Sequence, residues 1–169
     1  PPPPPPPPPP PTNFDTAEFR RSDGPDFHNA VSAWQDGITG DGSVIAVIDT
    51  GIDEDSPEFD GRIHPDSADV AGDRSINAED DHGTNVAMVA AAARDDKGVL
   101  GIAWDAQVLV IRADDPGSCG TDTPDDPSLG CLFDDRNIAA GIDLAVASGA
   151  DVINISLGGG GASALVANA

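Results

Sequence analysis

The sequence predicts an α/β fold in which a parallel sheet carries helices on both faces. Three apolar segments rich in β-branched residues have the length of buried strands: residues 44–48, 107–112 and 152–155. Two segments with the length and composition of helices, residues 82–94 and 138–146, alternate with these strands. The order strand, helix, strand, helix, strand is typical of a parallel sheet with helices on its faces.

The amino-terminal 26 residues are predicted to be a proline-rich tail or linker, and residues 27–169 to be part of one domain. Residues 1–11 are all proline, which predicts a polyproline II rod of about 34 Å at about 3.1 Å per residue. A spacer is the expected role, and a ligand for proline-binding modules is the alternative. Residues 12–26 are polar and predict an irregular connector, whereas residues 27–34 have the apolar spacing of a short amphipathic helix.

The composition is strongly acidic, with a formal net charge of −22 from 30 acidic and 8 basic residues. Such a surface repels phosphates and anionic lipid head groups, so nucleic acid is not expected as a partner. No apolar run approaches the roughly 18 residues that cross a bilayer, so no membrane insertion is predicted within this segment.

The only two cysteines, Cys119 and Cys131, bracket a loop rich in Gly, Asp and Pro. Their short separation predicts a disulfide, with two free thiols as the alternative. A closed loop of about a dozen residues stabilises a fold by ~3 kcal/mol in the chain-entropy model. Because disulfides persist in oxidising compartments, the chain is predicted to be secreted or displayed at the cell surface.

Polar residues stand at the ends of three predicted elements. Asp49 follows the first strand at the carboxyl edge of the sheet, where open α/β folds place their ligands. The alternative is that Asp49 only caps a turn. His82 opens the Ala- and Val-rich helix, and residues 154–159 end the last strand in a run of polar and glycine residues.

These three stretches together resemble the subtilisin-like serine peptidases. Residues 44–51, 81–87 and 154–159 occur in the order of that family and at compatible spacing, and the similarity extends over residues 30–165. The resemblance implies a subtilisin-like fold and a serine endopeptidase that hydrolyses polypeptide substrates with an Asp-His-Ser triad.

The resemblance also implies roles for five residues. Asp49 is the carboxylate that orients the base, and His82 is the general base. The substrate-binding segment is Ser156, Leu157 and Gly158. Glycines after an exposed strand let an extended peptide pair with the backbone, and Leu157 can form the wall of a side-chain pocket. The alternative for this segment is a glycine-rich turn.

The family's nucleophile lies in a Gly-Thr-Ser motif, and residues 1–169 contain no such motif. The resemblance therefore implies the amino-terminal part of a catalytic domain, truncated before the nucleophile helix and inactive by itself. One alternative is an exported, non-catalytic pseudopeptidase module that binds peptides or calcium. Another is an aspartic peptidase, because residues 49–51 read Asp-Thr-Gly, although that fold is all-β and has no place for the helix at His82.

No cofactor is required for this chemistry; residues 52–59 are interpreted as a solvated acidic loop, and a structural calcium ion is the alternative. Residues 52–59 are dense in carboxylates, which are oxygen ligands of the kind that calcium binds. By resemblance, Glu58 matches a calcium-binding position of many family members, and Asp95 falls in the second loop of the same site. The segment lacks the spacing of an EF-hand loop, which favours the solvated acidic loop that binds no metal.

Overall fold

The computed structural model describes residues 12–120, 130–159 and 163–169. The predicted polyproline rod and the middle of the loop between the cysteines lie outside these residues. The strands are β1 (Val44–Asp49), β2 (Ala68–Asp69), β3 (Gln107–Arg112) and β4 (Val152–Asn154). The α-helices are α1 (Asp23–Phe27), α2 (Ala30–Gln35), α3 (His82–Ala91) and α4 (Asp135–Ala147), and 3₁₀ turns occur at Phe19–Arg21, Pro57–Phe59 and Val166–Asn168.

The four strands form one sheet in the order β2-β3-β1-β4, and every pair is parallel. In the central pair, Val44 lies opposite Gln107 and Asp49 lies opposite Arg112. The predicted parallel α/β architecture is therefore confirmed, and the all-β fold of an aspartic peptidase is excluded. The short strand β2 is an addition that the sequence did not predict.

Alternate residues of the central strands face opposite sides of the sheet, as the pleat requires. One set packs against α3, and the other packs against α4 through Ala145. The α3 side is formed by Val47, Val108, Val110, Ala87 and Ala91, and the α4 side by Ala46, Ile48, Leu109, Ile111 and Ala145. Both faces thus carry a helix, as the sequence predicted.

Helix α3 is shorter and less covered than its composition suggested. The apolar run predicted a helix to residue 94 that is buried all round, but α3 ends at Ala91. Gly83, Ala87 and Ala91 face the sheet and are buried, whereas Val89 on the opposite side is 66% exposed. Residues 21–25 lie beside that outer side and line a pocket with Met88 and Val89. The described residues include no helix that is both long and apolar enough to cross a membrane.

The helix predicted over residues 27–34 is divided in two. Asn29 adopts a left-handed conformation with φ of 55°, which ends α1 and starts α2. As a result Phe27 points outward and is 85% exposed, whereas Trp34 is 3% exposed. The Trp34 Nε1 atom donates a hydrogen bond to the Ile102 carbonyl oxygen at 2.8 Å.

Part of the predicted connector packs on the domain. Phe14 is buried, and its ring centroid lies 5.5 Å from that of Trp34 and 6.0 Å from that of Trp104. Glu18, in the same segment, is fully buried. The difference from the sequence-based expectation arises because single aromatic residues in a polar segment carry no periodicity. The domain boundary at residue 26 stays a prediction.

Candidate active site

Asp49 and His82, the two predicted catalytic residues, are in contact at the carboxyl edge of the sheet. Asp49 ends β1 and is 1% exposed, whereas His82 begins α3 with a side chain that is half exposed. The His82 Nδ1 atom lies 2.8 Å from the Asp49 Oδ1 atom. Since a carboxylate only accepts hydrogen bonds, the Nδ1 atom carries the proton, which leaves Nε2 as the basic nitrogen.

Thr50 links the strand that carries Asp49 to the helix that carries His82. Its backbone N–H donates to the Asp49 Oδ1 atom at 2.8 Å. Its hydroxyl accepts from the Gly83 N–H at 3.0 Å and donates to the Asp80 carbonyl oxygen at 3.1 Å. The orientation of the Asp49 carboxylate and the start of α3 are therefore fixed by the same residue. Sequence reasoning did not assign Thr50 a role.

Two glycines allow the strand and the helix to approach this closely. Gly51 has φ of 93°, a conformation that other residues rarely adopt. A Cβ atom on Gly83 would overlap the Gly51 carbonyl oxygen and would lie 3.1 Å from the Thr50 Oγ1 atom and 3.2 Å from the Asp49 Cβ atom. The glycine after His82 is thus a steric requirement of the Asp49–His82 contact.

The second oxygen of Asp49 has a different environment. Its Oδ2 atom is buried and has no hydrogen-bond partner among residues 12–120, 130–159 and 163–169. A buried acceptor without a partner costs about 1–3 kcal/mol relative to a paired one. Burial of this oxygen therefore costs stability at the point where Asp49 meets His82.

The predicted substrate-binding segment follows β4 at the same edge of the sheet. Ser156 is exposed and its hydroxyl accepts from the Asn154 amide at 2.9 Å, while Leu157 is half-buried. Leu157 and Gly158 line a groove of about 640 Å³. The other walls come from Ile155 after β4, from the base of the cysteine loop, from α4 and from the last residues of the chain. They include the apolar residues Leu132, Phe133, Ile138 and Val166 and the polar residues Asp135 and Ser163. The structure thus places a largely apolar groove beside the predicted segment.

The disulfide predicted from the spacing of the cysteines is confirmed, because Cys119 and Cys131 are bonded. Their loop begins just after β3 and returns to the sheet through a bridge between Asp114 and Phe133. Phe133 and Cys131 both line the groove. The disulfide therefore ties together the loop that forms one wall of the groove.

A buried arginine lies directly beside the Asp49–His82 pair. Arg112 ends β3 opposite Asp49 and is 2% exposed. Its guanidinium is 2.8 Å from the Asp114 Oδ1 atom, 2.6 Å from the Asn77 carbonyl oxygen and 3.0 Å from the Glu79 Oε1 atom. Burial acts to lower the pKa of Arg112, but the hydrogen bonds to Asp114 and Glu79 outweigh burial and raise it. Sequence reasoning did not single out this residue.

A second polar cluster brings together Glu18, Glu58 and Asp95. Glu18 is fully buried, Glu58 is 6% exposed, and the Oε2 atom of each is buried without a hydrogen-bond partner in the described part of the chain. Glu18 Oε1 accepts from the Asp95 N–H at 3.0 Å. Burial raises the pKa of Glu58, a hydrogen bond from the Val99 N–H partly offsets this, and the charges of Asp95 and Glu18 raise it further.

The profile of the subtilase family matches residues 40–169. This range contains the Asp49–His82 pair and the segment after β4. The chain belongs to the subtilase family.

The relatives of this chain are serine proteases. It is 38% identical over 127 residues to the thermophilic serine proteinase of Bacillus sp. strain AK1, covering 75% of this chain and 28% of that protein. It is 40% identical over 107 residues to an extracellular serine protease of Serratia marcescens, covering 61% of this chain and 10% of that protein. A solved protease structure from Pseudoalteromonas arctica matches with a TM-score of 0.70 and 27% identity, covering 91% of this chain and 53% of that one. The chain thus spans only part of the length of each of these proteins.

Proposed function

We propose that this chain supplies the Asp-His half of the catalytic centre of a serine endopeptidase. The observation that carries the proposal is the 2.8 Å contact between His82 Nδ1 and Asp49 Oδ1, with the imidazole half exposed at the edge of the sheet. Membership of the subtilase family supports the same assignment.

In this mechanism His82 is the general base. Its Nε2 atom takes the proton of a serine hydroxyl as that oxygen attacks the peptide carbonyl, and later gives the proton to the leaving amine. Asp49 holds the tautomer in which Nε2 is basic, and its charge stabilises the imidazolium that forms. The serine and the oxyanion donors are proposed to lie outside residues 1–169, so these residues alone are proposed not to turn over peptide.

The proposed substrate is an extended polypeptide that binds along Ser156, Leu157 and Gly158. The exposed backbone at these positions can pair with a peptide strand, which gives affinity without demanding a particular sequence. The apolar groove beside Leu157 would then receive one substrate side chain. Nucleic acid is not a proposed partner, because the net charge is −22.

The proposed location is outside the cell or at its surface. Two observations support this location. The Cys119–Cys131 disulfide suits an oxidising compartment, and one relative is named an extracellular protease.

The function is tested by labelling the source material with a fluorophosphonate, which reacts covalently with an activated serine. We expect a labelled protein that contains the peptide spanning residues 44–51, with the label on a serine outside residues 1–169. A heat-denatured sample is the control, because it should lose the label. If the intact protein contains residues 44–51 but takes no label while other serine hydrolases in the sample do, the non-catalytic pseudopeptidase is the better explanation.

Substitution of the base tests the role of His82 directly. In the intact source protein, His82→Ala should lower kcat by about 10⁴-fold or more, because the members of such a site act as a unit. His28→Ala is the matched control, since His28 is exposed on the surface and should leave kcat unchanged. Turnover of the His82→Ala protein within about tenfold of wild type would contradict the assignment.

We further propose that Glu18, Glu58 and Asp95 hold a structural calcium ion. One observation supports the fit: Glu18 and Glu58 are carboxylates that each have a buried oxygen without a partner in the described part of the chain. Such oxygens are costly to bury unless a cation or a donor compensates them. Asp95 instead pairs with the Lys97 ammonium at 3.0 Å, so calcium would have to displace Lys97 and draw the three carboxylates closer together. The ion would be structural and would take no part in the peptide-bond chemistry.

The calcium proposal is tested by thermal unfolding of the chain with and without calcium. At a calcium concentration about 100 times the Kd, binding stabilises by about 2.7 kcal/mol, which is about 5–11 °C in Tm for a chain of this size. Glu58→Gln should abolish this gain, and Glu54→Gln, a change of the same kind at an exposed carboxylate nearby, should keep it. An equal Tm with calcium and with a chelator would exclude the site.

A further inference from the structure

We propose that Arg112 is a positioning residue for the Asp49–His82 pair, acting through the segment from Asn77 to Glu79 that leads into α3. This inference rests on the proposed function, because it takes the pair to be the reacting one. The hydrogen bonds of Arg112 go to Asp114 and Asn77, and its ion pairs to Asp114 and Glu79, rather than to the imidazole or the carboxylate of the pair. The role of Arg112 is to hold the chain that presents His82.

Arg112 contacts two parts of the chain. One is Asp114, called the anchor below, and the other is the segment from Asn77 to Glu79, called the presented segment. Its Nε and Nη2 atoms donate to Asp114 at 2.8 Å and 3.3 Å, and Asp114 is fully buried. Its Nη1 atom donates to the Asn77 carbonyl oxygen at 2.6 Å, and its Nη2 atom lies 3.0 Å from the Glu79 Oε1 atom. One rigid guanidinium thus ties the end of β3 to two residues of the approach to α3.

The anchor itself is held by a second arginine. Arg74 donates to the Asp114 Oδ2 atom at 2.8 Å and to Asp69, at the end of β2, at 2.8 Å. Burial acts to raise the pKa of Asp69, but the hydrogen bonds from Arg74 outweigh burial and hold that pKa below its usual value. Asp69, which holds Arg74 in place, therefore remains charged at neutral pH.

The presented segment is short and runs directly to the pair. Residues 76–78 pair with Ile52, since Ile52 N–H donates to the Ile76 carbonyl at 2.9 Å and Ala78 N–H donates to the Ile52 carbonyl at 3.0 Å. Two residues later the Asp80 carbonyl accepts from the Thr50 hydroxyl. His82 follows, and its N–H donates to the Asp80 side chain at 2.9 Å. A shift of the segment held by Arg112 must therefore move the start of α3 relative to Asp49.

Lysine could keep the charge at this position but not the geometry. The planar guanidinium makes contacts in several directions at once, whereas an ammonium is a compact point charge on a flexible stem. The substitution Arg112→Lys consequently separates the two possible roles of the residue. It keeps a cation beside Asp114 and loses the simultaneous hold on Asn77 and Glu79.

The test is the tautomer of His82, read from ¹⁵N NMR of the histidine-labelled chain at about pH 9, where imidazoles are neutral. In the wild-type chain His82 should carry its proton on Nδ1, because it donates to Asp49. His64 provides an internal reference of the opposite kind, since its Nδ1 atom accepts from the Asp66 N–H at 3.2 Å. A merely structural role for Arg112 would change Tm and leave the tautomer of His82 as it is.

We expect Arg112→Lys to lower the Nδ1–H fraction of His82 by about half or more, since outer hydrogen bonds fix the tautomer and the ring orientation. Glu79→Ala should lower it less, and because Glu79 is half exposed the variant should fold. Arg62→Lys is the matched control. Arg62 donates to the Ala106 carbonyl at 3.0 Å, at the other end of β3, so the same change there should leave His82 unaltered.

An unchanged Nδ1–H fraction in folded Arg112→Lys and Glu79→Ala chains would overturn the positioning role. An equal loss in Arg62→Lys would overturn it too, because the effect would then be a general loosening of the fold. If Arg112→Lys does not fold, the Nδ1–H fraction of His82 in the Glu79→Ala chain decides: a lower fraction supports the positioning role, and an unchanged one overturns it. A wild-type His82 with its proton on Nε2 would instead overturn the Asp49–His82 pair itself, and with it the proposed function.

Discussion

The substitution Gly83→Ala tests whether close packing of α3 on β1 sets the geometry of the Asp49–His82 pair. The added Cβ atom would overlap the Gly51 carbonyl oxygen and press on the Thr50 Oγ1 and Asp49 Cβ atoms, which lie 3.1 Å and 3.2 Å away. The Gly51 oxygen belongs to the backbone and cannot rotate away as the end of a side chain could. The start of α3 must therefore move away from the sheet.

The size of the movement follows from ordinary contact distances. A carbon–oxygen contact relaxes at about 3.3–3.6 Å, so the start of α3 must retreat by about 1 Å. The same retreat lengthens the Nδ1 to Oδ1 distance beyond its present 2.8 Å and beyond hydrogen-bonding range. A misplacement of about 1 Å costs about 10²-fold in rate, and overpacking of this kind costs about 1–3 kcal/mol of stability.

Two measurements follow the consequence. Thermal unfolding should give a lower Tm for Gly83→Ala, and ¹⁵N NMR should give a smaller Nδ1–H fraction for His82. Gly24→Ala is the matched control, because Gly24 lies in helix α1 and a Cβ atom there would meet nothing within 4 Å. Since nothing crowds this position, the control should stay within about 0.5 kcal/mol of the wild-type stability.

The reasoning would be refuted if Gly83→Ala unfolded at the wild-type temperature and kept the wild-type tautomer of His82. Such a result would mean that α3 can move without affecting the Asp49–His82 pair, or that the packing between β1 and α3 has room for an added Cβ atom.

Three further changes test other parts of the structure. Burial raises the pKa of Glu58 in the folded chain, so the metal-free chain should become more stable as the pH falls from 7 through that pKa. Glu58→Gln should remove this gain, which thermal unfolding at pH 5 and at pH 7 measures. Replacing Cys131 by Ser should lower stability by about 3 kcal/mol, and a reductant should bring wild type to the same Tm. Phe14→Ala should lower the free energy of unfolding by about 3 kcal/mol. Phe27→Ala, at an 85% exposed position, should change it by no more than about 0.5 kcal/mol. Equal effects of the two changes would contradict the packing of residues before 27.

The central sheet could be predicted because its strands are long and apolar. The predicted bounds of β3 coincide with the observed ones, and β1 differs by a single residue, since β-branched runs bounded by polar residues leave little choice. Strand β2 could not be predicted, because a pair formed by Ala68 and Asp69 has neither length nor apolar pattern. Its existence depends on pairing with β3, which is a tertiary contact.

In the candidate site, the contact between Asp49 and His82 could be predicted from the resemblance to the subtilisin-like peptidases, while their catalytic roles stay a prediction. Asp49 and His82 stand at the ends of strong elements, and parallel strands bring their carboxyl ends to one edge of the sheet. The roles of Thr50 and Gly83 depend on how α3 packs against β1. This packing is a tertiary contact, so the sequence around the motif does not indicate either role. Glu18 was missed because nothing in a polar segment distinguishes the one carboxylate that becomes fully buried.

Arg112 shows most clearly what sequence reasoning could not reach. A charged residue that ends an apolar strand is expected to lie where the strand leaves the core, yet Arg112 is 2% exposed. Its partners come from separate parts of a chain with 30 acidic residues, so the sequence does not indicate which of them it pairs with. Buried ion pairs add little net stability, and replacing both partners with apolar residues is often neutral or stabilising by about 1–4 kcal/mol. If Arg112 served stability alone, a double change of Arg112 to Met and Asp114 to Leu should be tolerated without effect on His82. If Arg112 positions the approach to α3, the same chain should still fold, because Asp69 keeps Arg74 paired, but the Nδ1–H fraction of His82 should fall.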